Sequence, residues 1–386
     1  MKTRIRHDRP PLCDDYVLEG QFFAWPLAVQ GECEPIDPDS AHVCALAATP
    51  DGRLVWGATR GQHSHLFAAC FKGASGGILD LGMLPEGTDA VHLLALPADH
   101  PLADSKSQTV LAAASSANGF SLWSQCFTVP RDAIQEPAFT HRQPKCLLEF
   151  TRGTCLGLTR LENTILCLTT QGLVELAVNP PHLAPVPREA NPESPPAGTL
   201  ALLDNSAWWL DTNGRLCGAT RDGAASKWKP YITDSPNDVL LIAGPFGNLL
   251  AALPDGTVLA ANARDRHIEK AAVAPLPGVH CLAPLPDGRI YGLCGSGIGH
   301  FFRIDIQQQN CTALGAIATA LGNHRYAFTF ACAEVTRDGV ILFGEDDRGG
   351  HLWTYYPPKQ TMNGNPMCLG KSQNPMTKRQ IGGSIR

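Results

Sequence analysis

The sequence lacks the features of a membrane protein or a secreted protein. None of its apolar runs approaches the ~18 residues that a transmembrane helix needs. The N-terminal stretch MKTRIRHDRPPLCDDY carries positive charge but no apolar core. Charged residues make up only 17% of the chain, and its formal net charge is -5, whereas nucleic-acid binders normally present a basic surface. We therefore expect a cytoplasmic protein whose partners include neither a membrane nor a nucleic acid.

The motifs of common cofactor and catalytic sites are also missing. There is no G-x-G-x-x-G after a predicted strand, no Walker loop, no G-x-S-x-G elbow and no H-E-x-x-H pair. None of the 14 cysteines forms the C-x-x-C pair that is typical of zinc sites. Disulfides would need an oxidising compartment, so we favour reduced thiols packed as small apolar side chains, with disulfides or zinc as the alternatives. These absences favour a protein with no cofactor and no resident metal.

The sequence is rich in turn residues and short apolar runs. It contains 37 glycines and 31 prolines beside 44% hydrophobic residues, a balance typical of many turns around a packed core. The stretch from Tyr326 to Pro358 shows the pattern at its simplest. Three β-prone segments, Ala327–Val335, Val340–Gly344 and His351–Tyr356, are separated by polar turns containing Asp-Gly or Gly-Gly. Such a sheet cannot bury both of its faces alone, so it needs similar sheets stacked beside it.

Similar units recur along most of the chain. Copies cover residues 43–82, 91–127, 154–178 and 280–317. Residues 198–278 are rich in hairpins but leave the phase of the repeat open, and we interpret the Pro-containing stretches 128–150 and 179–197 as connections. About seven units then follow one another at a spacing of roughly 40 to 55 residues. The predicted fold is all-β, a single β-propeller of seven four-stranded blades, with six or eight blades or a pair of β-sandwiches as alternatives.

The last unit lacks a fourth strand, because Pro357-Pro358 ends its third strand and the residues that follow are polar. We predict that a strand from within residues 16–36 completes this blade and closes the ring, which removes an exposed edge. The chain would then consist of an N-terminal segment at 1–42, the propeller at 43–358 and a tail at 359–386. The tail is basic and has no Asp or Glu, which fits either a solvated end or a docking segment for an acidic partner.

Candidate functional residues fall on one predicted face of the ring. Connections between the second and third strands of a blade should share that face with the connections between blades. Three histidines begin the third strands of the first unit and the last two units, which become neighbours once the ring closes. Arginines and carboxylates of nearby loops, and the blade-to-blade segment 322–326, add further polar groups. The ligand-binding candidates are His65, His300, Arg348, His351 and Arg60, and the catalytic candidates are His324, Arg325 and Tyr326.

These side-chain types allow two kinds of chemistry. An arginine could neutralise a substrate carboxylate while His or Tyr moves a proton, as β-elimination of uronic-acid polymers requires. Alternatively, imidazole and carboxylate groups could hold a divalent metal ion. A structural role is open as well, because a histidine that recurs at one repeat position is often hydrogen-bonded within its fold. Ser121 takes that position in the second unit.

The P-D-G-[RT]-[ILV] hairpins and G-H-[LF]-[FW] strand starts resemble those of bacterial seven-bladed propellers of the broad kelch-like, YncE-like and ulvan-lyase-like group. The resemblance spans about residues 43–358 and concerns architecture. In the polysaccharide-lyase propellers of this group, His, Tyr and Arg side chains on one face carry the reaction. Their motif does not match this sequence residue by residue, so the resemblance assigns no catalytic residue here.

Two functions from different classes remain, because a fold alone does not determine a function. The leading prediction is a non-catalytic binding or scaffold propeller that holds a partner protein or a carbohydrate ligand on its loop-rich face. The alternative is a carbohydrate-active enzyme, a polysaccharide lyase acting on uronic-acid polymers. A lyase should place His, Tyr and Arg together in an open groove, whereas a scaffold should show these side chains paired with other protein groups.

Overall fold

The structure is a computed structural model, and it describes part of the chain. The described residues are 19–27, 36–52, 54–72, 75–103, 107–127, 143–179, 182–187, 194–220, 224–318 and 326–358. Within these ranges the secondary structure consists of 27 β-strands and three short 3-10 turns, at Pro38–Ser40, Pro236–Asp238 and Pro245–Gly247. The predicted tail and most of the predicted N-terminal segment lie outside the described residues, and the domain boundaries stay predictions.

The strands form seven sheets, which we number as blades 1 to 7 in chain order after the first strand, β1 (Gln21–Pro26). Blade 1 contains β2 (His42–Ala48), β3 (Val55–Arg60), β4 (His65–Lys72) and β5 (Ser75–Met83). Blade 2 contains β6 (Thr88–Leu96), β7 (Gln108–Ser116), β8 (Gly119–Phe127) and β9 (Lys145–Phe150). Blade 3 contains β10 (Cys155–Leu161), β11 (Thr164–Thr169), β12 (Gly172–Asn179) and β13 (His182–Pro187). Blade 4 contains β14 (Pro196–Leu203), β15 (Ser206–Asp211) and β16 (Leu216–Thr220).

The remaining three blades follow the same pattern. Blade 5 contains β17 (Leu240–Ala243), β18 (Asn248–Ala252), β19 (Thr257–Asn262) and β20 (His267–Val273). Blade 6 contains β21 (Val279–Pro284), β22 (Arg289–Cys294), β23 (His300–Asp305) and β24 (Asn310–Ala316). Blade 7 contains β25 (Phe330–Val335), β26 (Ile341–Glu345), β27 (His351–Tyr356) and, as its outer strand, β1.

The blades close into a ring. The first strand of each blade contacts the first strands of both neighbouring blades, so β2, β6, β10, β14, β17, β21 and β25 surround a common axis. Six blades have four strands, and in blade 4 isolated bridges from Ala225 and Tyr231 stand in for the fourth strand. The chain is a seven-bladed β-propeller, as the repeat predicted.

The N-terminal strand closes the ring within the predicted range. β1 pairs antiparallel with β27 over six residue pairs, from Gln21–Tyr356 to Pro26–His351. Its buried anchor is Phe22, whose ring centroid lies 4.7 Å from that of Tyr355 and 5.0 Å from that of Phe301. Phe22 therefore joins blade 7 to blade 6 as well as completing its own sheet.

The apolar core lies between the blades, with at least one buried cluster at each of the seven blade-to-blade interfaces. Successive residues of a strand point to opposite faces of its sheet. The consecutive tryptophans of β15 show the result: Trp208 packs against blade 5 and Trp209 against blade 3. The described cysteines are free thiols, and Cys155 and Cys167, which pack in one of these clusters, have sulfurs 3.7 Å apart.

Three sequence interpretations need correction. The stretch 128–150 does not end as a plain connection, because its last residues form β9, the outer strand of blade 2. The Pro-rich stretch 179–197 contains β13, the outer strand of blade 3. The last blade begins at Phe330 rather than Ala327. The open phase within 198–278 is now fixed, since Pro254-Asp255-Gly256 joins the second and third strands of blade 5.

The two faces of the ring carry different connections. Because neighbouring strands are antiparallel, loops that join first to second and third to fourth strands share one face, which we call the hairpin face. Loops that join second to third strands share the opposite face with the blade-to-blade linkers, and we call it the linker face. Backbone hydrogen bonds join these two loop types, as between Gln62 and Asp39 (2.9 Å) and between Gly349 and Pro38 (2.9 Å). Most of the predicted site residues fall on the linker face.

Candidate functional site

Arg60 and Asp346 meet on the linker face and connect blade 1 to blade 7. Arg60 ends β3 and Asp346 follows β26, so ring closure brings them together from opposite ends of the chain. The Arg60 Nε atom donates to Asp346 Oδ1 at 3.0 Å, and the guanidinium makes a second, shorter bond to Oδ2. The hydrogen bond to Asp346 raises the pKa of Arg60. His42 adds its Nδ1 at 3.5 Å from Asp346 Oδ1.

A second ion pair lies beside the first. Arg348 Nε is 2.5 Å from Asp39 Oδ1. The loop after β26 therefore also forms an ion pair with the linker that precedes β2. Gly61 allows the loop between β3 and β4 to approach the same linker closely, because a Cβ atom at Gly61 would lie 2.1 Å from the Asp39 carbonyl oxygen. We call Asp39, His42, Arg60, Asp346 and Arg348 the linker-face cluster. Its pairing makes the junction of blades 1 and 7 a charged, cross-linked platform.

An exposed aromatic residue lies next to this cluster. Thr329 Oγ1 donates to the Asp346 carbonyl at 2.8 Å, and the Asp346 backbone N–H donates back to the Thr329 carbonyl at 2.9 Å. The preceding residue, Phe328, is 48% exposed. Sequence reasoning missed Phe328 because the alternation of AFTF extends the apparent strand through it. The sequence did contain one signal for Phe328, which is a large apolar side chain just before the start of a strand.

The three predicted histidines hold the predicted strand positions, since His65, His300 and His351 begin β4, β23 and β27. His65 Nδ1 lies 3.0 Å from Asp80 Oδ2 on the neighbouring strand of the same blade. His300 is half-buried, and its ring would lie near a Cβ atom added at Gly295. Within the described part of the chain, no hydrogen bond or ion pair joins two of these histidines.

His351 is tied to a buried carboxylate of its own blade. Glu345 is fully buried, and its Oε2 accepts hydrogen bonds from the His351 backbone N–H at 3.0 Å and from Trp353 Nε1 at 3.1 Å. The His351 Nδ1 lies 3.3 Å from the same oxygen. A buried carboxylate is tolerated when such donors satisfy it. His351 and Glu345 therefore brace the turn between β26 and β27, as His65 and Asp80 brace blade 1.

The catalytic candidates are only partly placed. Tyr326 is half-buried and forms an isolated backbone bridge with Ala318. Its neighbour Ala327 is held at both ends, by its N–H to Ile317 and by its carbonyl to Gly299. His324 and Arg325 lie outside the described residues, so a role for this trio stays a prediction.

A second polar cluster, which the sequence did not suggest, lies at the hairpin-face end of the closing strand. Glu19 accepts from Tyr291 Oη at 3.0 Å and from Arg303 at 2.5 Å, and its backbone carbonyl accepts from Tyr355 Oη at 3.2 Å. Arg289 donates to Tyr291 Oη at 3.1 Å. Burial raises the pKa of Tyr291 to about 12. Burial also raises the pKa of Tyr355. Both tyrosine side chains are inaccessible to solvent, so we assign the cluster a structural role. We call Glu19, Arg289, Tyr291, Arg303 and Tyr355 the latch.

The latch holds both ends of the propeller. Arg289 donates to the Pro358 carbonyl at 2.9 Å, just after the last strand. Asp287 fixes the same guanidinium with bonds of 2.6 and 2.9 Å. Glu19, just before the first strand, is bound on the other side of Tyr291. Pattern reasoning could not find this cluster, because its members come from blades 6 and 7 and the N-terminal segment.

No group of three or more His, Cys, Asp or Glu side chains among the described residues could hold a metal ion. No helix in the described ranges is long and apolar enough to cross a membrane.

Comparisons with known proteins support the fold. No family model matches the chain, and no curated protein matches it. The extracellular domain of a putative one-component system from B. thetaiotaomicron is 12% identical, with a TM-score of 0.53, covering 88% of this chain and 41% of that one. A chain of the mitotic checkpoint complex is 12% identical, with a TM-score of 0.55, covering 93% and 99%. Raptor from Chaetomium thermophilum is 11% identical, with a TM-score of 0.56, covering 89% and 30%.

This chain therefore spans less than half the length of two of these three structures. At such identities the likeness concerns the fold alone. The resemblance to seven-bladed propellers predicted from the hairpin and strand-start motifs is confirmed at that level.

Proposed function

We propose that this propeller is a binding or scaffold protein that holds a partner protein on its linker face. The observation that carries the proposal is the pairing within the linker-face cluster. Arg60 is bound by Asp346, and Arg348 by Asp39. Groups bound in this way stabilise a rigid surface instead of standing ready for proton transfer. Preorganised surfaces bind partners with a smaller loss of conformational entropy.

The chemistry around the cluster suits a protein interface. Arginine and aromatic side chains are the residue types that contribute most to binding energy at such interfaces. Arg348 and Phe328 are both exposed beside the half-buried Asp346. One structural neighbour is a chain of the mitotic checkpoint complex, which is consistent with a propeller acting inside an assembly.

A matched pair of charge reversals tests the proposal. Arg348 on the linker face is 75% exposed and paired with Asp39. Arg264 on the hairpin face is also 75% exposed and is paired with Asp204 at 2.9 Å. In quantitative pull-downs from the native source, Arg348→Glu should reduce partner recovery by roughly fivefold or more, whereas Arg264→Glu should leave it unchanged.

The controls separate a face-specific effect from unfolding or a tail effect. Both variants should keep the wild-type melting curve, because each loses one exposed ion pair. Recovery should persist when residues 359–386 are removed. Equal losses from Arg348→Glu and Arg264→Glu, or no loss from either, would contradict a linker-face binding site.

The lyase alternative needs an arginine that can neutralise a substrate carboxylate. Arg60 already binds Asp346 through two nitrogens, so the described geometry favours binding over elimination. The direct test is incubation with uronic-acid polymers, read by the ultraviolet absorbance of unsaturated products. Product formation that disappears in Arg325→Ala would replace the binding proposal with the enzymatic one.

A further inference from the structure

The outer rim of blade 4 differs from the rims of the other blades. Its three-stranded sheet ends at β16, and residues 224–231 run along that edge without forming a strand. We call residues 224–231, with the sequence AASKWKPY, the rim segment. Backbone bonds attach it at both ends: Thr220 N–H donates to the Ala224 carbonyl at 3.0 Å, and Leu216 N–H to the Pro230 carbonyl at 2.9 Å.

The middle of the rim segment arches away from the sheet. The bridges join Ala219 to Ala225 and Arg215 to Tyr231. Between the two bridges the rim segment spans six residue steps, from Ala225 to Tyr231, whereas the opposing stretch from Arg215 to Ala219 spans four. The two extra residues form a bulge. Pro230 fits this geometry because proline has no N–H to donate to a sheet. The last backbone bond before the arch is from Ser226 N–H to the Gly218 carbonyl at 2.7 Å.

The side chains of the arch differ in their burial and in their contacts. Trp228 points inward, where its ring packs edge-on against Trp208 with centroids 6.3 Å apart. Lys227 and Lys229 flank Trp228, and we call these two lysines and Tyr231 the outer row. Lys227 is exposed, Lys229 is half-buried, and Tyr231 is 52% exposed.

Arg215 adds a third cation to the outer row. Its guanidinium donates to the Lys229 carbonyl at 3.5 Å, and its backbone bridges Tyr231. Two carboxylates of this region bind other groups. Asp211 is buried and accepts the backbone N–H groups of Asn213 and Arg215, and Asp234 is hydrogen-bonded to Tyr231. Among the described residues, no carboxylate forms an ion pair with either lysine or with Arg215.

A cationic and aromatic row is unusual on a chain whose net charge is -5. A solvated row would not need the inward tryptophan and the bulge that fix it against the sheet. The rim segment covers the outer edge of blade 4, and its cations attract a partner of opposite charge.

We propose that the rim segment, with Arg215, is a docking site for an acidic extended peptide segment of a partner protein. The acidic side chains of the peptide would pair with Lys227, Lys229 and Arg215, and an apolar side chain would contact Tyr231. Blade 4 lies across the ring from the junction of blades 1 and 7, so this site is separate from the linker-face site and does not depend on it.

The test uses a fluorescein-labelled decapeptide of alternating Glu and Val, followed by fluorescence anisotropy. The wild-type protein should bind it, and added salt should weaken binding because it screens the charges. The double variant Lys227→Glu/Lys229→Glu should bind about tenfold more weakly or not at all. A peptide of alternating Gln and Val should not bind.

The matched control reverses two other outer-strand lysines, Lys145 on β9 and Lys270 on β20. Both are exposed, and Lys145→Glu/Lys270→Glu changes the net charge by the same amount. This variant should bind the peptide as the wild type does. Equal weakening in the two double variants would show a net-charge effect and overturn the proposal, as would absence of binding to the wild type. Displacement of the peptide by a uronic-acid polymer at lower concentration than by unlabelled peptide would reassign the site to an acidic polysaccharide.

Discussion

Glu334 lies on β25, the first strand of blade 7, with its carboxylate hydrogen-bonded to the backbone of Ala48 on blade 1. First strands are paired on one side only, so their other edge faces the axis with unpaired backbone groups. Side chains of neighbouring first strands satisfy some of these groups. Thr199, for example, bonds to both the N–H and the carbonyl of Leu241, at 2.9 and 3.1 Å. Such hydrogen bonds link the first strands of neighbouring blades near the axis.

The environment of Glu334 predicts a pH-dependent stability. Burial raises its pKa from 4.5 to about 7, against the opposing effect of the Ala48 N–H. The folded state therefore holds a proton that the unfolded state releases above pH 4.5. The contribution of this bound proton to the free energy of unfolding is complete below pH 4.5, and it disappears as the pH rises through about 7. In Glu334→Gln the side chain stays neutral and can still accept from Ala48.

We expect Glu334→Gln to be more stable than the wild type at pH 8, by about 1–2 kcal/mol. The two proteins should have the same free energy of unfolding near pH 4.5. Urea unfolding at a series of pH values measures the difference. His92, whose pKa burial lowers to about 4, affects both proteins equally and cancels in this comparison. A difference that stays constant from pH 4.5 to 8 would show that Glu334 is not desolvated in the folded protein.

At the scale of elements, the closing strand controls the stability of the ring. β1 supplies the outer edge of blade 7, and Phe22 enters the largest aromatic cluster of the described residues, between blades 6 and 7. The loss of a buried phenylalanine alone costs about 3–5 kcal/mol. Deletion of residues 1–36 should therefore lower the free energy of unfolding by at least that amount.

The matched truncation removes residues 359–386 and should leave the melting temperature unchanged. Differential scanning calorimetry compares the three proteins. A protein without residues 1–36 that melts like the full chain would show that β1 does not hold the ring closed. Phe22→Ala provides a milder version if the truncated protein does not accumulate.

Sequence reasoning found the strands whose apolar residues recur most regularly from one repeat unit to the next. β27, HLWTYY, is central within its blade and was predicted with its observed bounds. β13, HLAPVP, was taken for a loop because of its prolines. It is the outermost strand of blade 3, where proline is tolerated because one side of the strand needs no backbone donors. Outer strands in general carry a weaker signal, since they have fewer neighbours to constrain them.

The sites were less predictable than the strands. Arg60 and the carboxylates of nearby loops were predicted to share one sector, because the repeat register and ring closure bring these loops together. The latch of Glu19, Tyr291 and Arg303 depends on side-chain reach between different blades, which no local pattern records. The arch of the rim segment depends on a bulge of two residues, and sequence reasoning left that region without a phase.

At the scale of the whole molecule, the ring separates two surfaces of opposite character. The linker-face cluster contains ion pairs at the junction of blades 1 and 7, whereas the rim segment presents unpaired cations on blade 4. Among the described residues, the buried clusters join each blade to its two neighbours, as in other repeat architectures. We therefore expect binding at one surface to leave the other unaffected.

Exchange of the two sets of variants between the two assays tests this independence. Arg348→Glu should bind the acidic decapeptide with wild-type affinity. Lys227→Glu/Lys229→Glu should recover the linker-face partner as well as the wild type does. If either variant weakened both interactions while keeping its melting temperature, a single shared partner surface would be the better description.

The pairing of β1 with β27 also has a consequence for biosynthesis. Trp25 Nε1 donates to Thr354 Oγ1 at 3.0 Å, and the two residues are separated by 329 positions in the chain. At ~5–20 residues per second, a ribosome needs roughly 15 to 65 s to make the partner of a strand that has already emerged. During that interval the apolar stretch QFFAWP has no edge to pair with. The nascent chain should therefore depend on a chaperone, or on transient burial of Phe22, until its final strand leaves the exit tunnel.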